Sequence, residues 1–187
     1  MSLPYRESVP ATRPSLHLRP YADGDRWLTE AIEGDEVMMA ELGGALPSDE
    51  IPRIHQRRLD GMAADRLWYF TVVLEPDARI AGTICLWTDL VDGTYRSEAG
   101  WATLPEFQGR GIATEALRQL LERAGADGRW GDIHAFSGAT NGPSNALCRA
   151  AGFALVGEET VSYAGRQLHC NHWVLAADSL DNGSADR

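Results

Sequence analysis

The stretch TLPEFQGRGIAT at 103–114 constrains the fold more than any other part of the chain. A strand-like run ends at Pro105, a glycine-rich turn follows, and the clearest helical pattern of the sequence begins. Over 110–124, Ile112, Ala113, Ala116, Leu117, Leu120, Leu121 and Ala124 fall on one stripe. Glu115, Arg118, Glu122 and Arg123 fall elsewhere, at spacings that let them pair. The first N–H groups of such a helix have no partner within it, and with the helix dipole they make an anion site. Gly109 and Gly111 let the backbone approach a phosphate with no Cβ in the way.

Two familiar phosphate loops do not fit. A P-loop needs a lysine, and the chain has none. A dinucleotide fingerprint needs a third glycine where Thr114 stands, and its turn opens a first βαβ unit rather than following antiparallel strands.

The other elements follow from local pattern. A short strand is expected at 15–19, then helices at 23–32 and 35–42, the second stopped by Gly43 and Gly44. Ser48, Asp49 and Glu50 read as the capped start of a helix running to about Met62, with Pro52 in its first turns. Residues 67–75 (LWYFTVVLE), 79–88 and 95–104 read as three strands in a row, the first two joined by a turn at Pro76-Asp77. Gly125 and Gly128 end the long helix. A strand at 132–137, a short helix at 144–151 closed by Gly152, and a hairpin of 153–163 with 167–176 around Ala164-Gly165 complete the order. The class is α/β with a mixed sheet, in one domain over 15–176. Residues 1–14 read as a flexible arm and 177–187 as a flexible tail.

Composition narrows the partners. The 187 residues are 44% hydrophobic and 24% charged, an ordinary globular balance. No apolar run approaches the roughly 20 residues that span a bilayer, and MSLPYRESVP lacks the apolar core of a secretory signal. A net charge of −10 argues against nucleic acid and anionic membrane. The three cysteines are widely spaced with no CxxC pair, which points to free thiols in a reducing cytoplasm. Arginine without lysine reads as GC-rich coding, hence a bacterial source. In the run His169-Cys170-Asn171-His172, strand alternation sends the two histidines to opposite sides, so no tetrahedral metal site is expected.

Gln108-x-x-Gly111-x-Ala113 resembles the pyrophosphate loop of the GNAT superfamily of acetyl-CoA-dependent N-acetyltransferases. NGPSNALCRAAGF (141–153) resembles a second signature of that family, N-x-x-S followed by a short helix ending in Gly-Phe. Glu98-Ala-Gly-Trp101 and the early Leu18-Arg-Pro-Tyr21 are similar to the RimJ/RimL-like branch. The resemblance implies a GNAT fold: a mixed, mostly antiparallel central sheet flanked by helices and splayed at the cofactor-binding strands. It also implies an enzyme that moves the acetyl group of acetyl-CoA to a primary amine, a protein N-terminal α-amine or a small-molecule amine, without a metal. A non-catalytic acyl-CoA-binding module of the same fold is the alternative. Members of this branch often pair, and the final hairpin with Trp173 offers an apolar edge for a homodimer.

Carried over by position, the backbones of Trp101 and Thr103 would pair with the pantetheine arm. Gln108, Gly109, Arg110, Gly111, Ile112, Ala113 and Thr114 would hold the pyrophosphate, and Asn141 would bond the arm. Ser144 is the candidate acid for the leaving thiolate, or a helix N-cap, or both. Many members carry a tyrosine acid four residues later. Here that position is Cys148, which reads as a small buried hydrophobe or a donor in its place. Glu98, on the strand face opposite 97, 99, 101 and 103, is the candidate base. His134 is the alternative, against a structural role in the core. The segment 42–62 is expected to wall the acceptor side.

Overall fold

A computed structural model describes residues 14–91 and 93–181. The expected arm therefore lies almost entirely outside the described residues. Seven strands form one open sheet in the order β1-β2-β3-β4-β5-β7-β6. They are β1 (Leu16–Pro20), β2 (Leu67–Leu74), β3 (Arg79–Val91), β4 (Thr94–Thr103), β5 (Ile133–Gly138), β6 (Ala154–Tyr163) and β7 (Arg166–Leu175). Every neighbouring pair is antiparallel except β4 with β5. That parallel pair holds only two residue pairs, Ser97 with Ile133 and Glu98 with His134. Beyond Glu98 the two strands part, and a gap opens in the middle of the sheet.

Helices cover both faces. They are α1 (Arg26–Glu33), α2 (Ile51–Ala63), α3 (Ile112–Asp127), α4 (Gly142–Ala150) and α5 (Ala177–Asp181). On β2 the Arg58 guanidinium of α2 sits 4.4 Å over the Tyr69 ring, while Arg123 of α3 sits 5.1 Å over Phe70. Adjacent strand residues point to opposite faces, so α2 and α3 lie on opposite sides of the sheet. The main core gathers Ile84, Leu86, Leu117, Leu120 and Ile133, all essentially without exposed surface.

Five expectations are corrected. Residues 35–42 form turns and one 3-10 turn (Ala40–Leu42), not a helix. The Asp35 carboxylate accepts from the N–H groups of Val37 (2.9 Å) and Met38 (2.8 Å), so it competes with helical pairing. The next helix starts at Ile51 rather than Ser48, with Pro52 in its first turn where a missing N–H costs nothing. Gly125 lies inside α3, and Gly128, in the left-handed region, ends it. The tail reading fails over 177–181. There α5 docks on α3 beside Gly125, where a Cβ would come within 2.8 Å of the Leu180 carbonyl. Trp173 is 2% exposed and donates to Asn145 Oδ1 at 2.9 Å, so it is core, not edge. The exposed large apolar side chains of the outer strand β6 are Leu155 and Val156.

Candidate active site

The gap between β4 and β5 organises the site. The Leu104 N–H bonds the Ala81 carbonyl across to β3 (2.8 Å). Backbone direction alternates along a strand, so Gly100 and Ala102 also turn toward β3. Ala99, Trp101 and Thr103 then present their N–H and C=O groups to the gap. The Gln108 side chain already bonds the Thr103 carbonyl there (2.9 Å).

At the mouth of the gap stands the glycine turn. Gly109 and Gly111 have φ of 71° and 73°, the left-handed region that favours glycine. A Cβ at Gly109 would meet nothing within 4 Å, and one at Gly111 only the Pro14 ring at 4.0 Å. Gln108, Gly109, Arg110 and Gly111 are exposed. The first helical bond of α3 runs from the Glu115 N–H to the Gly111 carbonyl (3.0 Å). The N–H groups of Ile112, Ala113 and Thr114 precede it and point outward. The open glycine cradle and these donors suit a pyrophosphate, and the unpaired strand edge suits an extended amide-bearing arm.

On the α3 side of the sheet, α4 borders the gap. Its cap is Asn141, whose Oδ1 accepts from the Ser144 N–H (3.1 Å). The helix thus begins at Gly142 and Ser144 is not its cap, because Pro143 fits the first turn rather than breaking it. The Asn141 side chain is engaged within the helix start. The Ser144 hydroxyl instead accepts from Trp101 Nε1 at 3.3 Å. Four residues on, Cys148 is fully buried against the Ser137 hydroxyl (3.6 Å), and burial pushes its thiol up.

On the α2 side lies Glu98. The register Tyr69–Cys85–Gly100 across β2, β3 and β4 puts Glu98 on the Tyr69 face, opposite Ser144. Among the described residues no hydrogen bond or ion pair to its carboxylate is found. Burial pushes it up to about 7, eased by Arg96 and reinforced by Asp89. Desolvation, then Glu98 among other charges, also pushes the Cys85 thiol up to about 12. Beside Glu98, His134 Nδ1 meets His172 Nε2 at 2.7 Å, and His172 Nδ1 meets Glu159 Oε1 at 2.6 Å. His169 faces the other way and pairs with Glu158 (2.9 Å).

The segment 38–46 crosses the gap from outside. Met38 touches Gln108, Glu41 accepts from Thr140 (2.9 Å), and Arg166 of β7 donates to the carbonyls of Gly44 (2.5 Å) and Ala45 (3.1 Å). Sequence reasoning missed the Trp101–Ser144 bond and the His172–Glu159 pair. Alternation along β7 places His172 opposite His169, but only the register shows what it meets.

A split sheet, a glycine-lined anion turn at its mouth, and polar groups on both sides of the slot define an acyl-CoA-type transferase fold. The acetyltransferase (GNAT) domain model matches residues 15–154, and the chain belongs to that family. No curated protein matches the chain in sequence. Among solved structures, spermidine N-acetyltransferase from Vibrio cholerae, in complex with CoA and spermine, is 16% identical with a TM-score of 0.74, over 89% of this chain and 98% of that one. The ribosomal-protein-S5-alanine acetyltransferase from Vibrio fischeri is 16% identical with a TM-score of 0.72, over 88% and 94%. An acetyl transferase from Salmonella typhimurium that modifies the N-terminal serine of ribosomal protein L7/L12 is 17% identical with a TM-score of 0.72, over 89% and 97%.

Proposed function

We propose that the protein is an N-acetyltransferase of the RimJ/RimL-like branch that acetylates a primary amine, a protein N-terminal α-amine or a small-molecule amine, in a ternary complex with acetyl-CoA. One observation carries the reading: the gap opens just after Glu98, with Glu98 on one face and Ser144 on the other. An amine arriving from the α2 side meets a base before it meets the slot, and a thiol leaving on the α4 side meets a hydroxyl.

Bound acetyl-CoA supplies the activated acetyl thioester. The backbones of Trp101 and Thr103 hold its pantetheine arm as an added strand. Residues Gln108 to Thr114 hold the pyrophosphate through backbone N–H groups. An unpaired N–H of β4 is the donor for charge developing on the acetyl oxygen. Glu98, with a value near 7, is ionised often enough at neutral pH to take the ammonium proton. Ser144 gives its proton to the leaving sulfur and takes the amine's second proton in its place. An α-amine titrates near ~7.7–8.0, well below a lysine at ~10.4, and so suits a base of this strength. The segment 42–62 walls the acceptor side.

The reading includes a cytoplasmic enzyme, and no helix among the described residues is long and apolar enough to cross a membrane. It also includes a homodimer through the β6 edge, to be checked by light scattering at tens of micromolar. The deciding experiment is thiol release from acetyl-CoA with a panel of spermine, spermidine and peptides starting with Ser or Ala. Turnover with one of them supports the enzyme. Tight CoA binding with no turnover across a broad panel means an acyl-CoA-binding module instead.

A further inference from the structure

Acetylation of an ammonium releases one proton beyond the one that ends on the thiol. Glu98 is half-buried, and an amine seated against it covers the rest, so a proton it accepts needs a way out. Beside it on the same face, His134, His172 and Glu159 form a hydrogen-bonded line. Glu98 and His134 are direct register partners on neighbouring strands, about 4.8 Å apart. His134 reaches diagonally to His172 on β7 (2.7 Å), and His172 reaches diagonally to Glu159 on β6 (2.6 Å). The line starts under the wall of the site and ends at a carboxylate whose side chain is 44% exposed. Phe136 stacks on the His172 ring at 4.5 Å and holds its plane.

We propose that His134, His172 and Glu159 are positioning residues that form a proton outlet from Glu98 to solvent; the inference rests on the acetyltransferase reading above.

The direction of the line follows from donor and acceptor capacity. An ionised carboxylate only accepts, so Glu159 fixes the His172 proton on Nδ1. His172 Nε2 is then an acceptor, which fixes the His134 proton on Nδ1. That leaves His134 Nε2 free to take a proton from the Glu98 carboxyl. The transfer is concerted in sense. Glu98 O–H passes its proton to His134 Nε2, His134 Nδ1 passes one to His172 Nε2, and His172 Nδ1 passes one to Glu159, which yields it to water. The groups facing His134 are Arg96 and Glu98 from β4, Asp132 at the start of β5, His172 from β7 and Glu159 from β6. Burial, with the nearby His172 and Arg96, pushes His134 down, which keeps it neutral and able to accept.

The test uses the full chain, acetyl-CoA and whichever panel amine the wild type turns over, with the variants Glu159→Gln and His172→Asn. In dilute, poorly proton-accepting buffer kcat should fall about tenfold in each, with KM unchanged, and added imidazole should restore it. Unchanged kcat, or a loss that imidazole does not restore, overturns the outlet. Should no amine be turned over, the acetyltransferase reading fails, and the line is still decided separately. Nitrogen NMR of the resting protein should show both imidazoles protonated on Nδ1, and a His134 protonated on Nε2 overturns the outlet by itself.

Discussion

The indole of Trp101 donates to the hydroxyl oxygen of Ser144 at 3.3 Å, joining β4 to α4 across the mouth of the gap. An indole N–H only donates, and a hydroxyl carries one donor and two acceptor sites. Ser144 therefore accepts from Trp101 and keeps its own proton free. An oxygen that accepts a hydrogen bond is polarised toward donating one.

Ser144→Ala should lower kcat about 10²-fold, the low end for a general acid because a thiolate leaves easily. Its melting temperature should barely change, since Asn141 caps α4. Asn141→Ala should do the reverse and cost roughly 1 kcal/mol of stability. Trp101→Phe keeps a ring in the core and removes only the donor, so kcat should fall less than about tenfold. Full kcat in a well-folded Ser144→Ala enzyme removes Ser144 from the chemistry.

Gly111→Glu places a Cβ at φ of 73° and a carboxylate beside the outward N–H groups of α3. Acetyl-CoA affinity should fall by at least about tenfold, or ~1.4 kcal/mol. Calorimetry with CoA measures this, and circular dichroism checks that the fold remains. Unchanged CoA binding means that the turn does not hold the pyrophosphate.

Glu98 supports two pH predictions. Its folded-state value is raised from 4.5 to about 7, so between those values the folded protein holds a proton that the unfolded chain has lost. Stability contributed by this site therefore falls as pH rises through that window. Relative to Glu98→Gln, the wild type should lose up to about 3 kcal/mol between pH 4.5 and 8, measured by urea unfolding. In turnover, kcat/KM should rise with pH to a bend near 7 in the wild type, and that bend should vanish in Glu98→Gln.

Below α1 and α2 a buried ion pair joins Arg58 to Glu33, and the Tyr163 hydroxyl of β6 donates to the same carboxylate at 2.7 Å. Glu33→Ala strands a desolvated guanidinium and should cost about 3–5 kcal/mol. Adding Arg58→Met should recover part of that loss. Denaturant midpoints for the three proteins check both points.

Local chemistry explains which features were readable in the sequence. The left-handed glycines before α3, the apolar stripe behind them and the alternation along β4 are near-neighbour effects, so the glycine turn and the helix start at 103–114 were legible. Cys148 as a buried thiol followed from residue type. Where a single side chain or contact overrides local pattern, the sequence misled. The Asp35 carboxylate takes the N–H groups that a helix at 35–42 would need. Asn141, not Ser144, caps α4. The end of the chain becomes helical over 177–181 because Leu180 has α3 to dock against.

The sequence by itself determined the succession of the seven strands, the glycine turn and the set of polar residues available for chemistry, because each depends on spacing within a few residues. Only the tertiary structure decided which of those residues meet. That β4 and β5 part after two residue pairs, that Glu98 and Ser144 stand on opposite faces of the opening, and that His134, His172 and Glu159 line up through three strands all depend on register between segments up to 61 positions apart. Register is set by the packing of whole strands against the helices on both faces, and no single stretch of the chain carries that information.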